Sequence, residues 1–189
     1  MILAAFRRSA SRPSIHALYG AIVAQARCPA FYTNYGVPDT VEGRFDLIVL
    51  HLVLLLRRLG REDETRGGIG RGPADDAGQR LFDTFCHDLD GNLREMGVGD
   101  LAVPKRMQHF GEAFYGRLSA YGAAFASVDH RELENALARN IFGVAASDDR
   151  AVRLARYVHA AAAQLAAETE SALLAGNTIF PRPETFVNA

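Results

Sequence analysis

The sequence predicts an all-α fold, a single-domain bundle of about six helices. Apolar residues recur three and four positions apart along most of the chain, which is the spacing of one face of an α-helix. No stretch sustains the alternation of apolar and polar residues that a β-strand shows. The chain has 189 residues, of which 49% are hydrophobic and 23% charged, as expected for one folded domain.

A basic arm is predicted over residues 1–13, ahead of the first helix. The arginines that precede the first acidic residue, Asp39, are Arg7, Arg8, Arg12 and Arg27. Pro13 suits the first turn of a helix, and apolar residues then follow helical spacing over residues 15–23. The arm has two interpretations, a frayed terminus or a contact with anionic lipid or a ribosome surface.

The next predicted helix, with Asp39 or Thr40 as its N-cap, is the central helix of the bundle. Residues 47–56 are apolar on every face of this helix and include His51. A helix that is apolar all round lies either at the centre of a core or in lipid. A membrane span needs about twenty apolar residues, roughly twice this run. The run therefore favours a core helix over a membrane helix.

A flexible linker is predicted over residues 60–78, because this segment is rich in glycine and charge. The run Gly67-Gly68-Ile69-Gly70 has only a superficial likeness to a phosphate-binding loop. It does not follow a strand, and it does not end in Gly-Lys-Ser or Gly-Lys-Thr. A solvated connection between helices explains the composition better.

Two further helices are predicted on either side of the turn Gly97-Val98-Gly99-Asp100. The apolar stripe of the first helix consists of Leu81, Phe85, Leu89 and Leu93. The stripe of the second consists of Met107, Phe110, Phe114, Leu118, Tyr121 and Phe125, after Pro104. Stripes of this kind pack in a core more often than they line a cofactor.

The remaining helices complete a predicted helical domain over residues 14–176. Asp129 and Glu132 form a capping-box pattern ahead of one helix, which Gly143 ends. Ser147 or Asp148 then opens a last long helix that runs to the end of the domain. Residues 177–189 are predicted to be an extended tail.

The sequence offers little to an enzyme. No Gly-x-Ser-x-Gly elbow is present, and the two cysteines, Cys28 and Cys86, form no paired motif. We expect no catalytic residue, no metal and no cofactor. The net charge of −1 also argues against nucleic-acid binding.

One alternative is a helical metalloenzyme, for which the candidate ligands are Asp83, His87, His109 and Glu112. Another is a lipid- or quinone-binding protein that uses the helix over residues 47–56.

Several blocks of sequence occur together in a fixed order. They are Tyr32-Thr33-Asn34-Tyr35-Gly36-Val37-Pro38-Asp39-Thr40, Gly43-Arg44-Phe45-Asp46, residues 47–59 with His51, residues 81–90, Leu93-Arg94-Glu95 with Gly97-Val98-Gly99-Asp100, Val103-Pro104-Lys105, Glu112-Ala113-Phe114-Tyr115-Gly116-Arg117, and Leu137-Ala138-Arg139-Asn140. Over residues 15–175 the chain resembles the ubiquinol–cytochrome c chaperone family, the assembly factors of the respiratory ubiquinol–cytochrome c reductase.

The resemblance implies an all-helical, non-enzymatic chaperone that binds newly made cytochrome b or another subunit of the reductase. Mitochondrial members work with a small partner subunit near the ribosomal exit. So little sequence precedes the matching region that we expect a bacterial member. Its expected location is the cytoplasm, with peripheral contact at the inner membrane or ribosome, or the mitochondrial matrix if the source is eukaryotic.

The acid-rich segment between Asp75 and Asp100 carries seven acidic residues. It is either a solvated face or a partner-binding face, in which charges steer the encounter and aromatic residues anchor it. The aromatic residues expected to be exposed for this purpose are Tyr32, Tyr35 and Tyr115. The residues predicted to contact the partner are Asp88, Asp90, Glu95, Asp100, Lys105, Tyr115 and Arg117.

Overall fold

The computed structural model describes residues 11–65, 73–175 and 180–187. In these ranges the chain forms eight α-helices, a short 3-10 helix and no β-strand. The α-helices are α1 (Arg12–Ala26), α2 (Pro29–Thr33), α3 (Val41–Thr65), α4 (Pro73–Glu95), α5 (Val103–Ala126), α6 (Arg131–Ile141), α7 (Asp149–Ala167) and α8 (Glu170–Leu174). The 3-10 helix spans Pro183–Phe186. The all-α fold is therefore confirmed, with two short helices, α2 and α8, beyond the six predicted.

The central helix is α3, as the sequence predicted. It packs against α1, α4, α5, α6 and α7. Leu47, Leu50 and Leu52 on this helix are completely buried. Its first turn also needs Gly43, because a Cβ atom there would lie 2.0 Å from the Pro38 carbonyl oxygen. The turn before α3 can therefore pack directly on the helix backbone.

Helix occupies both ends of the predicted linker over residues 60–78. Helix α3 continues to Thr65, and α4 begins at Pro73. Arginine and glutamate are good helix formers, so a charge-rich segment can extend a helix as well as a loop. Residues 66–72 lie outside the described part of the chain. The same holds for residues 1–10 of the predicted basic arm, whereas α1 begins at Arg12 behind the N-cap Ser11.

The last predicted helix is in fact two helices. Helix α7 starts behind the N-cap Asp148, whose carboxylate accepts hydrogen bonds from the next backbone amides. It ends at Ala167, where Arg58 donates to the carbonyl oxygens of Leu165 and Glu168 at 2.9 and 2.7 Å. Thr169 then caps α8 with its hydroxyl. Apolar spacing alone predicts one continuous helix here. The hydrogen bonds from Arg58 and the Thr169 cap divide it into α7 and α8.

The predicted tail over residues 177–189 is neither wholly extended nor loose where it is described. Phe180 and Pro183 are buried, and residues Pro183–Phe186 form the 3-10 helix. This helix packs against α2 and α7. The described residues of the tail therefore pack against the helices of the core. Within the described ranges, we find no helix with the length and apolar content that crossing a membrane requires.

Candidate functional site

Helices α4 and α5 pack against each other through aromatic side chains. The ring centroids of Phe82 on α4 and Phe114 on α5 lie 4.7 Å apart. Phe110 of α5 extends the cluster to α3, where its ring centroid lies 4.7 Å from that of Phe45. Tyr115 joins the cluster 6.1 Å from Phe82, yet the tyrosine is 60% exposed. Tyr115 is thus a member of the aromatic cluster that reaches solvent.

A glycine cap fixes the end of α4. Gly97 has a φ of +80°, a conformation that glycine adopts without strain. The amide of Val98 donates to the Leu93 carbonyl at 3.0 Å, and the amide of Gly97 donates to the Arg94 carbonyl at 2.9 Å. This pair of bonds defines a Schellman cap. It sets the direction in which the chain leaves α4 for the loop before α5.

Three charged residues are linked at this end of α4. The Nε of Arg94 lies 2.7 Å from the Asp90 carboxylate, and Nη1 of the same arginine donates to Asp100. The hydrogen bond from Arg94 holds the pKa of Asp90 below its ordinary value. Glu95 and Lys105 are exposed, and neither takes part in an ion pair within the described residues. The end of α4 therefore presents charges of both signs to solvent.

Two apolar side chains stand out of the same surface. Leu101 is 99% exposed, and Met96 is 56% exposed. We call residues 94–105 the α4–α5 tip. Neither side chain was predicted as a contact residue, although Leu101 lies between the glycine turn and Pro104 and belongs to neither apolar stripe. The tip combines exposed apolar groups with charges, which is the composition of a protein-contact surface.

Two of the seven predicted contact residues are tied to neighbouring helices instead. The hydroxyl of Tyr19 on α1 donates to Asp88 at 2.8 Å. Arg117 lies 2.6 Å from Asp46 of α3, and the arginine side chain is only 18% exposed. These contacts hold α4 against α1 and α5 against α3. Of the remaining five, four lie on the tip or next to it (Asp90, Glu95, Asp100 and Lys105), and Tyr115 lies further along α5.

Of the three tyrosines predicted to be exposed, one is exposed, one is half-buried and one is buried. Tyr35 is completely buried, and its hydroxyl donates to the Pro183 carbonyl at 2.7 Å. Tyr32 is half-buried and donates to the Ala26 carbonyl at 2.8 Å. The polar turn around Tyr35 suggested a surface, but the tail covers it. Tyr115 is the exposed member of the three.

The candidate metal ligands are not assembled. Asp83 accepts a hydrogen bond from Gln79 at 2.8 Å, and Glu112 accepts one from Gln108 at 3.0 Å. Nowhere in the described ranges do three or more histidine, cysteine or acidic side chains converge on one point. The lipid-binding alternative also loses its basis, because the apolar surface of α3 packs against other helices.

His51 is buried at the centre of a hydrogen-bonded chain. Its Nδ1 lies 2.7 Å from the Leu47 carbonyl oxygen, and its Nε2 lies 2.7 Å from the Tyr157 hydroxyl. Burial lowers the pKa of His51 to about 4, so the ring is neutral near pH 7. Because a carbonyl only accepts, Nδ1 carries the proton and Nε2 accepts from Tyr157. Gln25 in turn donates to the Tyr157 oxygen at 3.0 Å.

Among the residues that the structure describes, Asp46 is buried in the core as well as His51. Burial raises the pKa of this carboxyl group to about 6, although the charge of Arg117 acts in the opposite direction. Burial also raises the pKa of Tyr121, and the charge of Asp46 adds to the effect. The carboxylate, the guanidinium and the phenol lie between α3 and α5. The ion pair between the carboxylate and the guanidinium joins the two helices.

The chain is thus an all-α protein with charged and apolar side chains exposed at the α4–α5 tip. The family model for the ubiquinol-cytochrome C chaperone matches residues 33–180, and the chain belongs to this family. A solved structure described as the Cbp3 homolog from Brucella abortus is 36% identical and has a TM-score of 0.79. That match covers 98% of this chain and 99% of the Brucella chain. Comparison with curated proteins finds no match.

These comparisons confirm the resemblance that the sequence blocks carried, and they include a bacterial relative. Membership of a chaperone family indicates a protein partner in the assembly of a complex. The coverage also shows that the described fold is similar to the relative over nearly its whole length.

Proposed function

We propose that this protein is a non-enzymatic assembly chaperone of the ubiquinol–cytochrome c reductase that binds newly made cytochrome b. Its family membership supports the chaperone role. The observation that supports this contact surface is the exposure of Leu101, which is 99% exposed next to the hydrogen-bonded glycine cap of α4. The α4–α5 tip is the proposed client-binding surface.

The chemistry of the tip suits an apolar, partly assembled client. Burying a leucine side chain against a partner contributes about 1.5–3 kcal/mol, and methionine adapts to irregular apolar surfaces. The charges of Glu95, Asp100 and Lys105 then steer the encounter and disfavour wrong partners. Tyr115 extends the proposed surface along α5.

The expected location follows from the client. A chaperone that receives newly made cytochrome b works next to the membrane that holds the reductase. We therefore place this protein at the cytoplasmic side of the inner membrane, in peripheral contact with the membrane or with a ribosome. The partner is cytochrome b or another subunit of the reductase.

A matched pair of substitutions tests the tip. Leu101→Ser and Val128→Ser each remove one apolar side chain that is almost fully exposed, 99% and 98% respectively. The tagged proteins are expressed in cells that lack the native copy, and cytochrome b is quantified in the recovered material. We expect Leu101→Ser to reduce recovery about tenfold, since losing one buried leucine removes at least about 1.4 kcal/mol. Val128→Ser, on the α5–α6 connection, should leave recovery unchanged.

Two results would contradict the proposal in different ways. Equal recovery of cytochrome b with both variants would show that Leu101 at the tip does not contact the client. If the unaltered protein recovers no subunit of the reductase, the proposed client is wrong. Circular dichroism of both variants verifies that they are folded to the same extent.

A further inference from the structure

The C-terminal segment, residues 180–187, lies in a groove whose wall is aromatic. Phe31 is at the centre of this wall, with its ring centroid 5.5 Å from Tyr35, 5.5 Å from His51 and 4.9 Å from Tyr157. The four residues come from α2, the turn after it, α3 and α7. Phe180 closes on the His51 ring at 5.0 Å in an edge-to-face arrangement.

The polar contacts of the segment are made through its main chain. Gln25 donates to the Pro181 carbonyl at 2.9 Å, and Tyr35 donates to the Pro183 carbonyl at 2.7 Å. Both acceptors belong to prolines, which have no N–H group that would need a partner in the groove. Arg182 between them has a φ of −66° and a ψ of 121°, close to polyproline II geometry. Its side chain points to solvent.

This combination is the physical basis of proline-rich peptide recognition. An aromatic groove that donates hydrogen bonds to carbonyls reads an extended backbone, and prolines reduce the entropy lost on binding. Such contacts depend on backbone shape and on the residues that flank the prolines. A foreign segment of the same pattern can make them equally well.

We propose that this groove is a peptide-binding site that the chain's own residues 180–187 occupy in cis. Its partner is a polypeptide segment with two prolines separated by one residue and an aromatic residue on either side, as in Phe180 and Phe186. Such a segment is extended up to the second proline and continues from there as a 3-10 turn. A tethered segment acts as though it were present at about millimolar concentration. The groove is therefore closed until a partner segment competes with the tail. This site is made by other elements than the α4–α5 tip and does not depend on the proposed client.

The test separates the tail from the folded chain without removing it. A protease site is inserted after Ala175, and the purified full chain is cut there once folded. A labelled synthetic peptide with the sequence of residues 180–187 is then added, and its exchange for the severed segment is followed by native mass spectrometry. We expect exchange, with the helical circular dichroism of the cut protein preserved.

Substitutions identify the contacts that hold the peptide. Tyr35→Phe should weaken peptide binding about tenfold, because the Pro183 carbonyl loses its donor. Tyr115→Phe, the same change at an exposed tyrosine, should have no effect. In the peptide, Pro183→Ala should reduce affinity about tenfold, whereas Arg182→Ala should not. An unrelated peptide that keeps the two prolines and both aromatic residues should compete.

Three results would overturn the inference. The first is unfolding of the cut protein, since the segment would then be an integral part of the core. The second is a severed segment that never exchanges. The third is equal loss of affinity with Arg182→Ala and Pro183→Ala, which would show adhesion of a peptide without the proposed geometry.

Discussion

His51 shows how a polar residue can lie in an apolar core without serving as a ligand. Both ring nitrogens are satisfied, one by the Leu47 carbonyl and the other by the Tyr157 hydroxyl. A buried polar group costs little stability when every partner is present, and several kcal/mol when one is missing. Metal or heme binding at this ring would therefore require the Tyr157 bond to break. The residue is best explained as a link between α3 and α7.

The two buried ionisable groups of α3 act in opposite directions as pH changes. Folding lowers the pKa of His51 from 6.5 to about 4, so the unfolded chain binds more protons and stability rises with pH in that window. Folding raises the pKa of Asp46 from 3.8 to about 6, so the folded chain binds more protons there. Stability contributed by Asp46 is present below pH 3.8 and lost as pH rises through about 6. The two effects offset each other between about pH 4 and pH 6.

Replacing the Asp46 carboxyl group should separate its effect on stability from that of His51. We expect Asp46→Asn to gain stability relative to the unaltered protein by about 3 kcal/mol between pH 3.8 and pH 6, since each pKa unit corresponds to about 1.4 kcal/mol. The attraction to Arg117 is already included in this pKa, which it lowers. Replacing the neutral carboxyl group by an amide adds an offset that does not vary with pH. Urea unfolding at several pH values measures the difference in the free energy of unfolding.

Asp129→Asn is the control with the opposite sign. Hydrogen bonds from Arg131 lower the pKa of this exposed carboxyl group, so its removal should cost more stability as pH rises. A difference between Asp46→Asn and the unaltered protein that stays constant with pH would contradict the assigned pKa of Asp46.

At the scale of elements, helical geometry divides the predicted contact face. Asp88 and Asp90 are two positions apart on α4, so their side chains project about 200° apart. Asp88 accordingly meets Tyr19 of α1, while Asp90 meets Arg94 on another side of the helix. A run of acidic residues in sequence is therefore not one surface. The sequence could place both residues on a helix, but it could not say which flank another helix would cover.

Two glycines of the α4 region should respond in opposite ways to the same substitution. Gly97→Ala places a side chain at a φ of +80° and should lower stability by about 1 kcal/mol. Gly91 lies inside α4, and a Cβ atom there would meet nothing within 4 Å. Gly91→Ala should therefore raise stability by about 1 kcal/mol through helix propensity. Thermal unfolding of both variants gives the comparison.

The direction of each change is what matters for the proposed cap. If Gly97→Ala were as stable as Gly91→Ala, the left-handed residue would not be needed to end α4. In that case the position of the α4–α5 tip would rest on other contacts. Recovery of cytochrome b with Gly91→Ala should equal that with the unaltered protein.

For the whole molecule, the sequence predicted the features that depend on local spacing better than those that depend on contacts between distant residues. The stripes of α4 and α5 and the apolar faces of α3 were readable because they repeat within a few residues. The position of the tail was not, since Tyr35 and Pro183 are separated by 148 residues and Gln25 and Pro181 by 156. Periodicity also could not predict that Leu101 is exposed. Exposure depends on whether another helix or loop packs over a residue, which local spacing does not show. The sequence therefore singled out charged residues that lie at the α4–α5 tip, but not the apolar side chains exposed beside them.

The same substitution at two leucines should separate folding from binding. Leu52 on α3 is completely buried, and Leu101 is 99% exposed. Leu52→Ala should cost about 2–5 kcal/mol, because the cavity lies at the helix that contacts five others. Its far-ultraviolet and tyrosine signals should still unfold together, as in a single cooperative domain. Leu101→Ala should change the free energy of unfolding by less than about 0.5 kcal/mol, since no packed contact is lost. A large loss of stability from Leu101→Ala would mean that the tip is held within the fold, and it could not then serve a partner.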